Sequence, residues 1–229
     1  MKFHYTNLET CGEATGMVVV IDVIRAFTNA AFIFSKGAEK IYPVGTVEEA
    51  LQFKSQNPGV LVCGEVGGFP PDGFDFGNSP TEVNELDLHG RTVVQRTGAG
   101  TQGIVRSIHA DKMVAASFVV ANATLRHIQK YSPEQVTFVI TGATASGGGE
   151  EDKSCAKYLE ESLKGNRPDP APFLERVRKS RESMEMFFDP IKPLFPRSDL
   201  DYCIYLDAFD FAMPVTRENG RFVMRTVKP

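Results

Sequence analysis

Acidic side chains follow the ends of several apolar, β-branched runs in this sequence. Asp22 ends one run, Glu65 follows a second, and Glu150, Glu151 and Asp152 follow a third after a Gly-rich turn. In an open α/β sheet, ligands bind in the crevice beyond the carboxyl ends of the strands. Carboxylate oxygens suit Mg²⁺, which takes oxygen ligands and retains some waters. The acids therefore indicate a metal-binding crevice at one edge of a sheet.

Anion-binding features accompany these acids. RTGAGT, residues 96–101, follows another apolar run and opens a helix, and Arg25 begins the helix after Asp22. A helix N-terminus presents free N–H groups and a positive dipole end to anions. Gly98 and Gly100 allow the backbone to approach a phosphate, while arginine binds phosphate, carboxylate or sulfonate through paired hydrogen bonds. Acids beside such loops indicate a metal-assisted reaction on a phosphate ester.

Several other catalytic and binding motifs are absent or incomplete. GAGTQG, residues 98–103, matches GxGxxG, but Ser117 rather than an acid ends the next strand, which argues against a dinucleotide site. There is no P-loop, and no cysteine has an arginine six positions later. Ile24 stands where an aspartyl-phosphate motif of the DxD type would carry its second acid.

The same residues also have purely structural explanations, which stay open. Asp22 could cap the next helix, and Asp75 and Asn78 could form turns through bonds to the backbone. Ser79 is expected to cap a helix. Glu151 lies in a first helical turn, where acids are favourable in any case.

CGEVGGFPPDGFDFGNSP, residues 63–80, is the most unusual stretch of the chain. Its glycines and prolines exclude a helix or a regular strand. Long irregular loops inside compact domains are usually functional or disordered. Phe69, Phe74 and Phe76 supply apolar anchors, so an ordered active-site loop is expected.

The elements that must position these residues alternate between strand and helix patterns. Strands are predicted over residues 18–22, 40–44, 60–62, 92–95, 113–116 and 135–140. Helices are predicted over residues 25–34, 102–108, 122–130, 150–163 and 173–188, with two more capped by Thr46 and Ser79. Asn219-Gly220 predicts a hairpin of residues 210–216 and 221–227 at a sheet edge. The alternation predicts an α/β fold, a three-layer α/β/α sandwich around a mixed, mostly parallel sheet.

Length and composition fit one domain over residues 1–229, with an α/β core (1–165) and a C-terminal helix and hairpin extension (166–229). The 229 residues are 42% hydrophobic and carry a net charge of −4, which argues against a nucleic-acid partner. The four scattered cysteines are expected to be reduced. No signal peptide or membrane span is visible, so we expect a cytoplasmic protein, and its size is compatible with a homodimer.

Four segments resemble the 2-phosphosulfolactate phosphatase (ComB) family. They are VVVIDVIRAFT (18–28), GEVGGFPPDGFDFGNSPTE (64–82), RTGAGTQG (96–103) and GGGEEDKSCA (147–156). The resemblance covers residues 18–163, and LDAFDFAMPV (206–215) fits in place near the end. It implies an α/β/α fold with a mixed sheet and a Mg²⁺-dependent phosphatase. That enzyme hydrolyses (2R)-2-phospho-3-sulfolactate to (2R)-3-sulfolactate and phosphate, a step of coenzyme M biosynthesis in methanogens.

The resemblance carries over position by position. The matching residues are Asp22, Arg25, Thr28, Glu65, Gly73, Asn78, Ser79, Thr97, Gly100, Thr101, Asn122, Glu150 and Asp152. Gly98 departs from the pattern, because many relatives carry a polar residue there. Many members come from bacteria that do not make coenzyme M, so the resemblance indicates the reaction class more strongly than the substrate.

Residues and resemblance together give a hypothesis for the site. The expected Mg²⁺ ligands are Asp22, Glu65, Glu150 and Asp152. The expected catalytic residues are Asp22, Arg25, Glu65 and Asp75, with Asp75 as a candidate general base. The residues expected to bind a small anionic phospho- or sulfo-acid are Arg25, Asn78, Arg96, Thr97, Gly98, Gly100, Thr101 and Asn122. Two alternatives stay open: a phosphatase of another small phospho-acid, and a non-catalytic anion-binding protein.

Overall fold

The computed structural model describes residues 1–144, 147–182 and 195–229. The strands are β1 Lys2–Asn7, β2 Met17–Ile21, β3 Lys40–Pro43, β4 Leu61–Gly64, β5 Thr92–Arg96, β6 Lys112–Ala116, β7 Gln135–Ile140, β8 Met213–Glu218 and β9 Arg221–Met224. The helices are α1 Ala26–Ser35, α2 Val47–Gln56, α3 Pro80–Asn84, α4 Gly100–Arg106, α5 Ala121–Tyr131, α6 Glu150–Leu163, α7 Ala171–Glu182 and α8 Ser198–Cys203. The described helices include none long and apolar enough to cross a membrane.

In the described part of the chain these strands form one sheet, in the order β1-β7-β2-β6-β8-β9-β3-β5-β4. Strands β1, β7, β2 and β6 form one parallel group, and β3, β5 and β4 form another. The predicted α/β class with a mixed, mostly parallel sheet is confirmed. Strand β1 was not predicted, because this half-exposed edge strand has no continuous apolar run.

The C-terminal hairpin lies inside the sheet, not at its edge as predicted. Strand β8 pairs antiparallel with β6, and β9 pairs antiparallel with β3. Asn219 and Gly220 have φ of 50° and 78°, the left-handed conformations that a tight hairpin turn requires. The hairpin therefore joins the two parallel groups into one sheet.

Helix α1 lies between the two parallel groups. Its residues from Ala26 to Phe34 are all buried, in one core cluster with Val18 and Val20 of β2 and Val93 of β5. Apart from Thr28, Asn29 and Ser35 the helix is apolar, and a helix that is apolar on most of its surface is a buried helix. On the other face of β2, Val19 and Ile21 pack in a second cluster with residues of α5 and α6. This burial on both faces explains the continuous apolar run of the strand.

The carboxyl ends of β2 and β5 meet, although the two groups run in opposite senses through three antiparallel pairs. Neighbouring strands twist by roughly 20–25°, so the five steps from β2 to β5 amount to roughly 100–125°. A rotation of this size is compatible with the contact that the structure shows, since a Cβ on Gly100 after β5 would lie 2.8 Å from Asp22 Oδ2 after β2. Gln95 at the end of β5 donates from Nε2 to the carbonyl oxygen of Ala26 (2.9 Å).

The predicted caps are present, but of the three predicted loop anchors only Phe76 is buried, while Phe74 is partly buried and Phe69 is 41% exposed. Thr46 Oγ1 accepts from the Glu49 N–H (3.0 Å), and Ser79 Oγ accepts from the Glu82 N–H (3.3 Å). Phe76 of the irregular loop is buried in the core beside α1. The helix predicted over residues 173–188 begins at Ala171, and residues 183–188 lie outside the described residues.

Gly64, the last residue of β4, lies too close to β5 to carry a side chain, and a substitution can test this. Its φ is +127°, and a Cβ there would lie 1.8 Å from the carbonyl oxygen of Arg96. Gly59 also has positive φ (+92°), but a Cβ there would meet no atom within 4 Å. We predict that Gly59→Ala lowers the free energy of unfolding by about 1 kcal/mol. Gly64→Ala should lower the free energy of unfolding by at least about 2 kcal/mol more than Gly59→Ala does, because the backbone near Arg96 must also move.

Urea denaturation of both variants and the wild type measures this difference. Equal losses in the two variants would contradict the close approach of Gly64 to the end of β5.

Candidate active site

Asp22 and Asp152 form a buried carboxylate pair at the carboxyl ends of β2 and β7. Asp22 is 5% exposed and accepts from the Ala26 N–H at the start of α1 (2.9 Å). Asp152, in the first turn of α6, is 2% exposed and accepts from the N–H groups of Val23 (2.8 Å) and Gly142 (2.9 Å). Backbone donors from two strand ends therefore hold these two side chains in place.

A single hydroxyl group lies between the two carboxylates. Thr141 Oγ1 is 3.2 Å from Asp22 Oδ2 and 3.4 Å from Asp152 Oδ2. The same oxygen is 2.9 Å from the carbonyl oxygen of Ile21. A hydroxyl has one proton to donate, so it cannot satisfy all three acceptors at once. The pair is left with acceptor capacity directed at a common point.

Burial raises the pKa values of both acids. The pKa of Asp22 rises from 3.8 to about 6, mainly through burial, and the charges of Glu65 and Glu151 add to the rise. The pKa of Asp152 is raised well above its usual range by burial and then by the charges of Asp22 and Glu151. Burial and neighbouring negative charges therefore make the ionised form of each carboxyl group unfavourable. A nearby cation would stabilise that ionised form.

The Gly-rich loop after β5 lies against Asp22. A Cβ on Gly100 would be 2.8 Å from Asp22 Oδ2 and 2.6 Å from the Cβ of Ala26, so only glycine fits there. Thr97 and Thr101 are buried and bond each other reciprocally. The Thr97 N–H donates to Thr101 Oγ1 (2.8 Å), and the Thr101 N–H donates to Thr97 Oγ1 (3.1 Å). The threonine hydroxyls therefore fix the shape of the loop.

Glu65 connects the long loop after β4 with the short loop after β5. Its carboxylate accepts from the Gly98 N–H and from the Gly68 N–H (2.7 Å). Arg96 donates from Nη1 to the carbonyl oxygen of Glu65 (2.7 Å). The structure thus places Glu65, Arg96 and Gly98 together, and the Glu65 carboxylate binds the backbone of both loops.

Arg25 is buried and lies against the C-terminal part of the chain. Its Nη1 is 2.6 Å from Asp199 Oδ2, and its guanidinium carbon is 4.6 Å from the centre of the Phe195 ring. Asn78 is 6% exposed, and its Oδ1 has no hydrogen-bond partner among the described residues. Asn122 is exposed at the start of α5, where its N–H donates to Asp207 Oδ1 (2.6 Å).

Two predicted site residues lie in positions that do not fit their expected roles. Asp75 was expected to be a general base, but its carboxylate accepts from Lys54 Nζ and from the Val62 N–H, both at 2.7 Å, at the outer edge of β4. Glu150 was expected to bind metal, but its side chain is 64% exposed and paired with Lys153. Successive residues of a helix point in directions about 100° apart, so Glu150 faces solvent while Glu151 and Asp152 are buried.

Sequence reasoning missed three residues of this region. Glu151 was taken as a favourable first-turn acid, yet it is 5% exposed and its charge acts on both acids of the pair. Thr141 was one of several small residues after β7, with nothing local to single it out. Asp199 comes from a short helix distant in sequence, so only the tertiary structure reveals it.

The donor set fits Mg²⁺ bound by two protein carboxylates. Among the described residues, no group of three or more His, Cys, Asp or Glu side chains is arranged to hold a metal ion. Mg²⁺ is commonly held by one or two carboxylates together with substrate phosphate and waters. The under-compensated oxygens of Asp22 and Asp152 match that pattern, whereas the expected set of four acids does not come together.

The raised pKa of Asp22 predicts a stability that depends on pH. Because the folded protein holds this proton more tightly than the unfolded chain, the metal-free wild type loses stability as pH rises from about 4 to 6. Asp22→Asn removes this titration and keeps an oxygen that can accept from Ala26. At pH 7 without metal, we predict that the variant is more stable by about 3 kcal/mol, since each pKa unit corresponds to about 1.4 kcal/mol.

Thermal melts from pH 4 to 8, with EDTA and with excess Mg²⁺, measure the effect. Mg²⁺ should raise the melting temperature of the wild type at pH 7 and leave that of the variant almost unchanged. A variant less stable than the wild type at pH 7 in EDTA would contradict the uncompensated charge at Asp22.

Comparisons with known proteins identify the family of this chain. The model of the 2-phosphosulpholactate phosphatase family matches residues 3–218. A Bacillus subtilis protein named probable 2-phosphosulfolactate phosphatase is 32% identical over 201 residues, which cover 87% of each chain. Proteins with the same name from Thermotoga petrophila (32% identical, 90% of this chain and 91% of the relative) and Carboxydothermus hydrogenoformans (33%, 91% and 90%) are similar over comparable lengths. The chain therefore belongs to the 2-phosphosulpholactate phosphatase family.

Proposed function

We propose that the protein is a Mg²⁺-dependent phosphatase that hydrolyses 2-phosphosulfolactate to 3-sulfolactate and phosphate. Its family and the names of its relatives support the phosphatase reaction. The observation that carries the metal dependence is the buried pair Asp22 and Asp152, whose carboxylates face one shared hydroxyl. The Gly-rich loop beside Asp22 supplies the neighbouring place for a phosphate.

Asp22 and Asp152 are the residues that would hold Mg²⁺. When bound, the ion neutralises charge on the phosphoryl group and orients the attacking water. The N–H groups of Ala26, Val23 and Gly142 keep the two carboxylates at fixed positions without reorganisation. Because Gly100 has no side chain, the start of α4 can pack directly against Asp22, which places the loop after β5 next to the proposed metal ligand.

Glu65 supports this arrangement and does not serve as a third ligand. Its carboxylate accepts from the N–H groups of Gly98 and Gly68. These bonds keep the loop after β5 and the loop after β4 at a fixed distance from each other. Thr97 and Thr101 hold the first of these loops in one conformation. Fixed loops matter because phosphoryl transfer depends mainly on positioning and electrostatic stabilisation.

Glu151 replaces Asp75 as the candidate general base. Glu151 is buried, and its charge acts on Asp22 and Asp152, whereas Asp75 is paired with Lys54 away from them. Arg25 and Arg96 remain the cations that would bind the acid groups of the substrate. Both are anchored, Arg25 on Asp199 and Arg96 on the backbone of Glu65.

Metal dependence can be tested with two carboxylates of the same helical turn. Asp152→Asn removes a proposed ligand, while Glu150→Gln changes an exposed neighbour as a matched control. We predict that Asp152→Asn lowers kcat/KM by about 100-fold or more, because a metal contributes several kcal/mol of charge stabilisation. Glu150→Gln should stay within about twofold of the wild type.

Phosphate release from 2-phosphosulfolactate, with Mg²⁺ and with EDTA, supplies the measurement. Full activity in EDTA, or equal losses in the two variants, would contradict metal binding by this pair.

The substrate can be tested with a panel of phosphate esters. If the two arginines bind a second acid group, 2-phosphosulfolactate should have a kcat/KM at least about tenfold above that of a phosphate monoester without one. 2-Phospholactate and phosphoglycolate would show whether the sulfonate matters. Melting temperatures of the protein with each ester, recorded beside turnover, separate an enzyme from a protein that only binds anions.

Stabilisation by the esters without turnover of any of them would favour the non-catalytic alternative. Higher kcat/KM for another phospho-acid would keep the reaction class and change the substrate.

A further inference from the structure

We infer that Asp199 is a positioning residue that orients Arg25 to bind the acid group of the substrate that is not hydrolysed. This inference rests on the proposed function, because it concerns the same site and names the group that Arg25 recognises. Asp199 is carried by α8, more than 170 positions from Arg25 along the chain. It is outside every segment on which the family resemblance depends.

Both carboxylate oxygens of Asp199 have contacts in this region. Its Oδ2 is 2.6 Å from Nη1 of Arg25. Its Oδ1 accepts from Ser79 Oγ (2.7 Å) and from the Thr81 N–H (3.0 Å), at the end of the irregular loop and the start of α3. Asp199 is completely buried, so these contacts replace water for a charge that would otherwise be very costly to bury.

Phe195 restrains the same guanidinium group from a second direction. Its ring centre is 4.6 Å from the guanidinium carbon of Arg25, and a Cβ on Gly68 would lie 2.2 Å from the ring atom Cζ. A carboxylate bonds a guanidinium group at its edge, whereas an aromatic ring packs on its face. Contacts with two different residues restrict the position of a group that recognises anions through geometry as well as charge.

The place of Arg25 explains why its orientation matters for binding. It immediately precedes α1, whose first residue Ala26 donates to the proposed metal ligand Asp22. The guanidinium group is carried by the short segment that joins Asp22 to α1, and it can bind a carboxylate or sulfonate attached to the carbon skeleton of the phosphate ester. The chemical class of ligand is therefore a small acid, with 3-sulfolactate as the available probe.

Binding of 3-sulfolactate to the full-length protein tests the inference without requiring turnover. Calorimetric titration of the wild type, Asp199→Asn, Arg25→Ala and the double variant gives a double-mutant cycle. Asp199→Asn should weaken binding of 3-sulfolactate about 10- to 100-fold, the usual cost of removing a group that orients a ligand-binding side chain. In the Arg25→Ala background, Asp199→Asn should weaken binding of 3-sulfolactate by less than about threefold, because Asp199 acts through Arg25.

Ser198→Ala is the matched control on the same helix, since it removes only the contact between Ser198 and Thr81 (2.8 Å). It should leave the affinity for 3-sulfolactate within about twofold of the wild type. If Asp199→Asn does not fold, Asp199→Glu keeps the charge and shifts the carboxylate by one methylene group. That variant should also weaken binding of 3-sulfolactate.

Each outcome separates this inference from the proposed function. Unchanged affinity in a folded Asp199 variant, equal losses in both backgrounds, or no binding of 3-sulfolactate by the wild type would overturn the inference. The predicted pattern of binding in a protein that hydrolyses no phosphate ester would support the role of Asp199 and refute the phosphatase.

Discussion

The repulsion between two buried carboxylates is the constraint on which this structure depends. Asp22 and Asp152 face one hydroxyl of Thr141, which has a single proton for three acceptors. Burial makes the charged forms costly, so folding alone does not favour this arrangement. The surrounding sheet and helices must hold the pair together against its own repulsion. A site of this kind lowers the stability of the free protein, but its ligand groups are already positioned when an ion or substrate binds.

The fold meets this constraint by joining two parallel strand groups through an inserted hairpin. The ends of β5 and β2 meet across the twisted sheet, and the absence of a side chain at Gly100 lets the two strand ends touch. The C-terminal part of the chain then closes the region, since Asp199 connects Arg25 with Ser79 and Thr81. Residues that are far apart in sequence are therefore needed to complete one crevice.

Much of this could be predicted from local sequence patterns. Apolar runs gave six of the strands, the capping residues gave helix starts, and the acids after strand ends pointed to the crevice. Choices that depend on tertiary packing could not be predicted in this way. The turn at Asn219 indicated a hairpin but not its partners, and the first turn of α6 offered three acids with no local sign that Glu150 alone faces solvent. Asp199 gave no signal, because its role comes entirely from contacts across the fold.

The most direct test of the account is to locate the metal. Mn²⁺ can replace Mg²⁺ at oxygen sites and gives an anomalous X-ray signal, so a crystal soaked with Mn²⁺ and phosphate shows which side chains bind the ion. We predict one anomalous peak about 2.0–2.3 Å from carboxylate oxygens of both Asp22 and Asp152. A peak at Glu150 or Glu65 without that pair, or no peak in the crevice at saturating Mn²⁺, would contradict it.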